Sequence, residues 1–229
     1  MDSKIIVALD FPDAKSAYQL VDQLNPELCK LKVGKELYTA EGRSFVTELV
    51  KRGYQVFLDL KFHDIPNTVA NACAVAADLG VWMMNVHASG GRKMMETASN
   101  RLAQLSDRPL LIGVTILTSL SEEEIHEIGY SGTPEENVLR LARLAASSGL
   151  DGIVCSPLEA APVRESVADE FLLVTPGVRP AFASTDDQKR IKTPADALNA
   201  GSSYLVIGRP ITAAEDPMKN LQRVIDEIS

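Results

Sequence analysis

Val56-Phe57-Leu58-Asp59-Leu60-Lys61-Phe62-His63-Asp64-Ile65-Pro66-Asn67-Thr68 is a strand that runs out into a helix. Val56, Leu58 and Leu60 alternate with Phe57, Asp59 and Lys61, so a period of two puts the aliphatic residues on one face and Asp59 with Lys61 on the other. Pro66 marks the entry of the helix that follows. A lysine set between two carboxylates, Asp59 and Asp64, is expected to stay protonated. Three charges so close would be costly in a core built only for packing. Taken alone, Asp-x-Lys at a strand end is most simply a structural ion pair; the rest of the chain is what turns it toward a site.

Outward from this stretch, the same unit of a short β-branched run followed by a longer amphipathic segment recurs about eight times. The expected strands cover residues 4–9, 30–33, 55–60, 82–87, 110–115, 152–155, 172–175 and 204–207. Thr133-Pro134-Glu135-Glu136 and Ser121-Glu122-Glu123-Glu124 read as capping boxes, and Thr193-Pro194 and Asp216-Pro217 place proline just inside a helix start. Gly53, Gly80, Gly149 and Gly201 each close a helical stretch ahead of a strand. Strict β–α alternation implies a parallel sheet, and eight units fit a (β/α)8 TIM barrel better than an open sheet. With no linker or composition break, residues 1–229 are expected to form a single barrel domain.

Composition sets bounds on function. A chain of 229 residues with 45% hydrophobic and 24% charged content can bury a full core. No apolar run approaches the ~20 residues of a membrane span, and the chain enters its first strand without a signal-peptide pattern, so a cytoplasmic location is expected. The net charge of −8 argues against general nucleic-acid binding while leaving room for a local anion pocket. Cys29, Cys73 and Cys155 are odd in number and set among apolar neighbours, as buried thiols are.

On a barrel of this kind the chemistry sits at the C-terminal strand ends. Ile5, Val7 and Leu9 would face the helices and leave Asp10 at the inner rim; Leu31 and Val33 would do the same and leave Lys32. Strand three supplies Asp59 and Lys61, strand four ends at Asn85 and His87, strand five leads to Thr118 and Ser119, and strand eight opens into Gly208-Arg209-Pro210. Two lysines and two aspartates converging on one rim are better explained by a site than by solubility.

Val7-Ala8-Leu9-Asp10, Lys30-Leu31-Lys32-Val33-Gly34, the run from Asp59 to Thr68, Asn85-Val86-His87-Ala88, Leu117-Thr118-Ser119, Thr175-Pro176-Gly177-Val178-Arg179 and Ile207-Gly208-Arg209-Pro210 together resemble the orotidine 5'-phosphate decarboxylase family over nearly the whole chain. The most specific element is Asp-x-Lys-x-x-Asp followed by Ile-Pro-Asn-Thr; the shorter motif also occurs in related sugar-phosphate decarboxylases. The form resembled is the free-standing bacterial one. The resemblance implies conversion of orotidine 5'-phosphate to uridine 5'-phosphate without metal or organic cofactor. Lys61 would protonate carbon 6, Asp59 would lie by the departing carboxylate, and Lys32 and Asp64 would hold Asp59 and Lys61 ionised. It further implies a homodimer in which Asp64 and Thr68 cross to the partner's site. Asp10 and Lys32 would serve the ribose, Thr118 and Ser119 the pyrimidine edge, Gly208 and Arg209 the phosphate. Ile65 joins the binding set, and Arg179 and Gln188 belong to a lid over residues 176–189.

Other conspicuous residues have plainer readings. His63 and His126 are expected at the surface, and His87 is expected to make a structural hydrogen bond; the three histidines show no metal-ligand spacing. Trp82-Met83-Met84 and Met94-Met95 read as core. Three rivals stand beside the decarboxylase. A Schiff-base aldolase needs a neutral lysine, which flanking aspartates oppose. A metal-assisted sugar-phosphate decarboxylase or epimerase shares the shorter motif, and a silent nucleotide-binding regulator would have no use for the charged triplet.

Overall fold

The computed structural model describes residues 3–183 and 192–229. Eight parallel strands close into a barrel in sequence order: β1 (Ile5–Leu9), β2 (Lys30–Gly34), β3 (Val56–Phe62), β4 (Met83–His87), β5 (Leu110–Val114), β6 (Gly152–Val154), β7 (Leu172–Pro176) and β8 (Tyr204–Ile207). The seam is the pairing of Ile5, Ile6 and Val7 with Leu205, Val206 and Ile207. The helices are α1 (Ala14–Val21), α2 (Lys35–Lys51, kinked at Gly42), α3 (Pro66–Ala77), α4 (Arg92–Leu102), α5 (Glu122–Glu127), α6 (Pro134–Ser147), α7 (Ala160–Arg164), α8 (Pro194–Asn199), α9 (Arg209–Thr212) and α10 (Pro217–Glu227). The expected (β/α)8 TIM barrel is therefore the fold.

Alternation along the strands splits the core in two. Ile5, Val7, Leu9, Leu31, Val33, Val56 and Leu58 pack outward against the helices. Ile6, Ala8, Phe57, Met83, Ile112, Val174, Tyr204 and Val206 fill the barrel itself. Each fully buried aliphatic or aromatic side chain contributes roughly 1.5–3 kcal/mol. At the N-terminal end of the barrel, Lys30 is buried, donates to the Ser3 carbonyl at 2.8 Å and lies over the Trp82 and Tyr204 rings. The apolar barrel filling and this layer close the floor, leaving the opposite rim for chemistry.

The helix starts follow the expected capping. Ser121 and Thr133 both close capping boxes, with Glu124 and Glu136 reaching back. Thr193 does the same with Asp196. Gly53, Gly80, Gly149 and Gly201 hold φ values of 88°, 73°, 78° and 100°, the left-handed turn that ends each helix before a strand. All three cysteines are buried and unpaired; burial pushes the Cys29 and Cys73 thiols up to about 12, which leaves them inert at neutral pH.

The strand ends lie within one residue of those expected, except in β3. β3 was expected to end at Leu60, but it continues to Phe62 through an irregular register. Leu58 pairs with Met84 and Phe62 with Val86, so β3 advances four residues where β4 advances two. Such a bulge bends its strand and re-aims the side chains within it.

Candidate active site

The rim of β1, β2 and β3 carries a continuous ionic chain. Lys32 Nζ lies 3.0 Å from Asp10 Oδ1 and 3.5 Å from Asp59 Oδ2. Lys61 Nζ lies 2.6 Å from Asp59 Oδ1. Asp10, Lys32, Asp59 and Lys61 are thus brought together as the alternation implied. The shielding is graded: the side chains of Lys32 and Asp59 are 11% and 12% exposed, Lys61 24% and Asp10 67%. Gly34 permits the inner end of this arrangement, because a Cβ there would come within 3.2 Å of Lys32 Nζ.

Lys61 has φ 55°, and among the described residues it is the one non-glycine with positive φ. An L residue holds that conformation only where its surroundings impose it. The alternation of Asp59 and Lys61 foresaw their shared face but not this backbone. Asn85, fully buried on β4, touches both: its Oδ1 accepts the Lys61 backbone N–H at 2.8 Å, and its Nδ2 donates to Asp59 Oδ1 at 2.7 Å. The sequence reading placed Asn85 at the rim without a role. Its inward position, two residues after Met83 of the barrel filling, was the available signal, since a buried carboxamide must find partners.

Lys32, Asp59, Lys61 and Thr118 look into a cavity of about 190 Å³ whose floor is apolar, with Phe57 and Val206 among its lining. It adjoins a wider cleft of about 720 Å³ through the shared residues Ile116, Leu117, Thr118 and Pro176. A small apolar chamber with charges at one end, opening into a larger approach of mixed polarity, suits a flat ring carrying a hydrophilic substituent.

The other expected residues are spread around this mouth. Ser119 is exposed in the turn after β5 and does not line the cavity with Thr118. Gly208 follows β8, next to Asp10, and Arg209 begins α9, exposed. Arg179 follows β7, half-buried, with its backbone N–H bonded to the Lys192 carbonyl at 3.2 Å. Gln188 lies outside the described residues. Asp64, Ile65 and Thr68 are exposed at the start of α3. Asp64 Oδ1 accepts the Ile65 N–H at 2.6 Å, and among the described residues no ion pair joins Asp64 to Lys61 within the chain.

His87 departs from its expected structural hydrogen bond. Among the described residues its partner is the His63 ring, 5.5 Å away centre to centre. Burial, then His63, Lys35 and Lys61, press its pKa down to about 4, so the ring is neutral at pH 7. His63 is exposed as expected; His126 is exposed on α5 and meets the Gly132 carbonyl. Among the described residues, no group of three or more His, Cys, Asp and Glu is gathered as a metal site would be.

A closed parallel barrel whose C-terminal rim concentrates paired lysines and aspartates over an apolar chamber defines a (β/α)8-barrel enzyme. Residues 3–224 match the orotidine 5'-phosphate decarboxylase / HUMPS family, and the chain belongs to it. It is 59% identical over 223 residues to an orotidine 5'-phosphate decarboxylase of Hydrogenovibrio crunogenus, covering 97% of this chain and 94% of that one. It is 57% identical over 227 residues to that of Nitrosococcus oceani, covering 99% and 98%. The crystal structure of orotidine 5'-phosphate decarboxylase from Lactobacillus acidophilus superposes with a TM-score of 0.90 at 39% identity, covering all of both chains.

Proposed function

We propose that residues 1–229 act as a single-barrel carboxy-lyase that converts orotidine 5'-phosphate to uridine 5'-phosphate in pyrimidine biosynthesis, with Lys61 as the proton donor. The observation that carries this is the ionic chain from Asp10 through Lys32 and Asp59 to Lys61, ending at the apolar chamber. In the reaction the bond from carbon 6 to the carboxylate breaks, carbon dioxide leaves, and the electron pair stays in an sp² orbital that the ring cannot delocalise. Lys61 Nζ supplies positive charge where that pair develops and then transfers its proton to carbon 6; the neutral amine is reprotonated from water. Asp59 faces the departing carboxylate, and Lys32 keeps Asp59 placed. No organic cofactor or metal is required in this scheme.

Asp10 and Lys32 take the ribose hydroxyls, Thr118 and Ser119 the pyrimidine edge, and Gly208 with Arg209 the phosphate, where the guanidinium can make two parallel bonds. Arg179 and Gln188 belong to the segment after β7 that completes the phosphate end; phosphate binding energy orders the reacting end. In this reading the enzyme works in the cytoplasm as a homodimer, each chain lending Asp64, Ile65 and Thr68 to its partner's site. Two features favour the partner contact: these residues are exposed, and within the chain Lys61 is paired with Asp59 rather than with Asp64. No helix of the described residues is long and apolar enough to cross a membrane.

The test is an ultraviolet assay of the purified protein with orotidine 5'-phosphate. Turnover should survive a chelator, and Lys61→Ala should lose at least about 10³-fold in kcat. Chelator-sensitive turnover would favour the metal-assisted rival, and undiminished Lys61→Ala would remove Lys61 from the reaction.

A further inference from the structure

We propose that Asn85 is the positioning residue for proton delivery, its carboxamide tying the backbone and the ammonium of Lys61 into one unit across the bulge in β3. This rests on the decarboxylase reading above. Between the paired positions Leu58 with Met84 and Phe62 with Val86, the residues Asp59, Leu60 and Lys61 stand opposite Asn85 alone. A bulge of this size takes backbone groups out of the ladder, and buried ones must find other partners. The Lys61 N–H finds the Asn85 side-chain carbonyl at 2.8 Å.

The other end of the same carboxamide closes a ring. Asn85 Nδ2 donates to Asp59 Oδ1 at 2.7 Å, and that oxygen also takes Lys61 Nζ at 2.6 Å. Lys61 is therefore held at its backbone and at its tip by one pair of neighbours. The left-handed φ of 55° is imposed from Asn85, and the direction of the ammonium follows from it. The carboxamide supplies an acceptor and a donor at this reach whatever the pH. An aspartate there would keep the acceptor but, ionised, face Asp59 with like charge; protonated, it would regain a donor. Full burial of Asn85 makes both bonds obligatory and excludes water as a substitute.

A residue that merely filled space would change stability and leave the chemical step alone. The experiment is steady-state turnover of orotidine 5'-phosphate by wild type, Asn85→Ala and Asn85→Asp, with product binding measured by calorimetry. Asn85→Ala should bind uridine 5'-phosphate within about threefold of wild type while kcat falls by about 100-fold or more, because a misplaced donor costs rate and not affinity. The ratio of Asn85→Asp to wild-type activity should climb at least about tenfold as pH is lowered from about 8 to about 5.5, as protonation restores the donor. A kcat for Asn85→Ala within about threefold of wild type, or a loss confined to KM, would overturn the proposal. If Asn85→Ala does not fold, the pH ratio decides, and a flat ratio overturns it. Inactive wild-type protein would defeat the decarboxylase reading, and this inference with it; active wild type with an indifferent Asn85 defeats this inference alone.

Discussion

At the scale of single residues, the rim is a set of charges whose worth depends on how far water is kept away. Lys32 bridges two carboxylates and is less exposed than Lys61, so its removal strands more buried charge. Lys32→Ala should cost about 2–4 kcal/mol in urea unfolding, because among the described residues Asp59 then keeps Lys61 and Asn85 alone for compensation. Lys61→Ala should cost clearly less, since Asp59 retains the better-shielded lysine; the reverse order would mean that the 3.5 Å contact of Lys32 carries little. His87 supplies a pH dependence. Its folded pKa, about 4, lies below the ordinary 6.5, so between these values the unfolded chain binds the extra proton and stability falls as pH falls. His63, Lys35, Lys61 and Asp59 all face the ring, and solvent reaches part of it, so the loss from pH 7 to 4 is about 1–2 kcal/mol after screening. His87→Gln should flatten the pH dependence of urea midpoints in that window; an unchanged slope would assign the acid loss to other groups.

At the scale of elements, what could be read in advance was what repeats. The strands came from alternation, the helix starts from Ser121, Thr133 and Thr193, and the helix ends from glycines, which adopt the left-handed turn without steric cost. The bulge in β3 was not legible, because period-two reading assumes one residue on each strand per step, and residues 59–61 break that count against Asn85. For the same reason Asn85 had a place but no partner: its bonds exist only because the register slips. Short β6 shows a tighter constraint of the same kind. A Cβ on Gly152 would sit 2.4 Å from the Leu172 carbonyl oxygen of β7, and backbone cannot swing aside as a side chain can. Gly152→Ala should therefore destabilise by about 2–4 kcal/mol through forced separation of β6 and β7. Urea unfolding checks it, and a change below about 0.5 kcal/mol would mean the barrel shifts freely there.

At the scale of the whole molecule, the barrel presents Lys61 with one carboxylate, Asp59, while the second one named by the motif, Asp64, points to solvent. Sequence spacing could gather the rim residues of one chain, but no periodicity reports on a second chain, so the expectation that Asp64 and Thr68 serve a partner's site rests on resemblance alone. The surface around Asp64 is suited to burial. Val69, Ala70, Cys73 and Ala76 turn α3 toward its own barrel, which leaves Ile65, Thr68 and Val75 on the outward side, with Ile65 68% and Val75 50% exposed. Apolar side chains left in water beside the charged loop that carries Asp64 are what a two-fold interface would cover. If the sites are shared in this way, Lys61→Ala and Asp64→Ala chains, each inactive alone, should complement on co-expression. Random pairing makes about half the dimers hybrid, and each hybrid holds one intact site of two, so activity should return to about a quarter of the wild-type value per chain. Recovery near that fraction, lost again when the two variants are purified separately and mixed without exchange, places Asp64 opposite its partner's lysine; no recovery at any ratio would confine each site to a single chain.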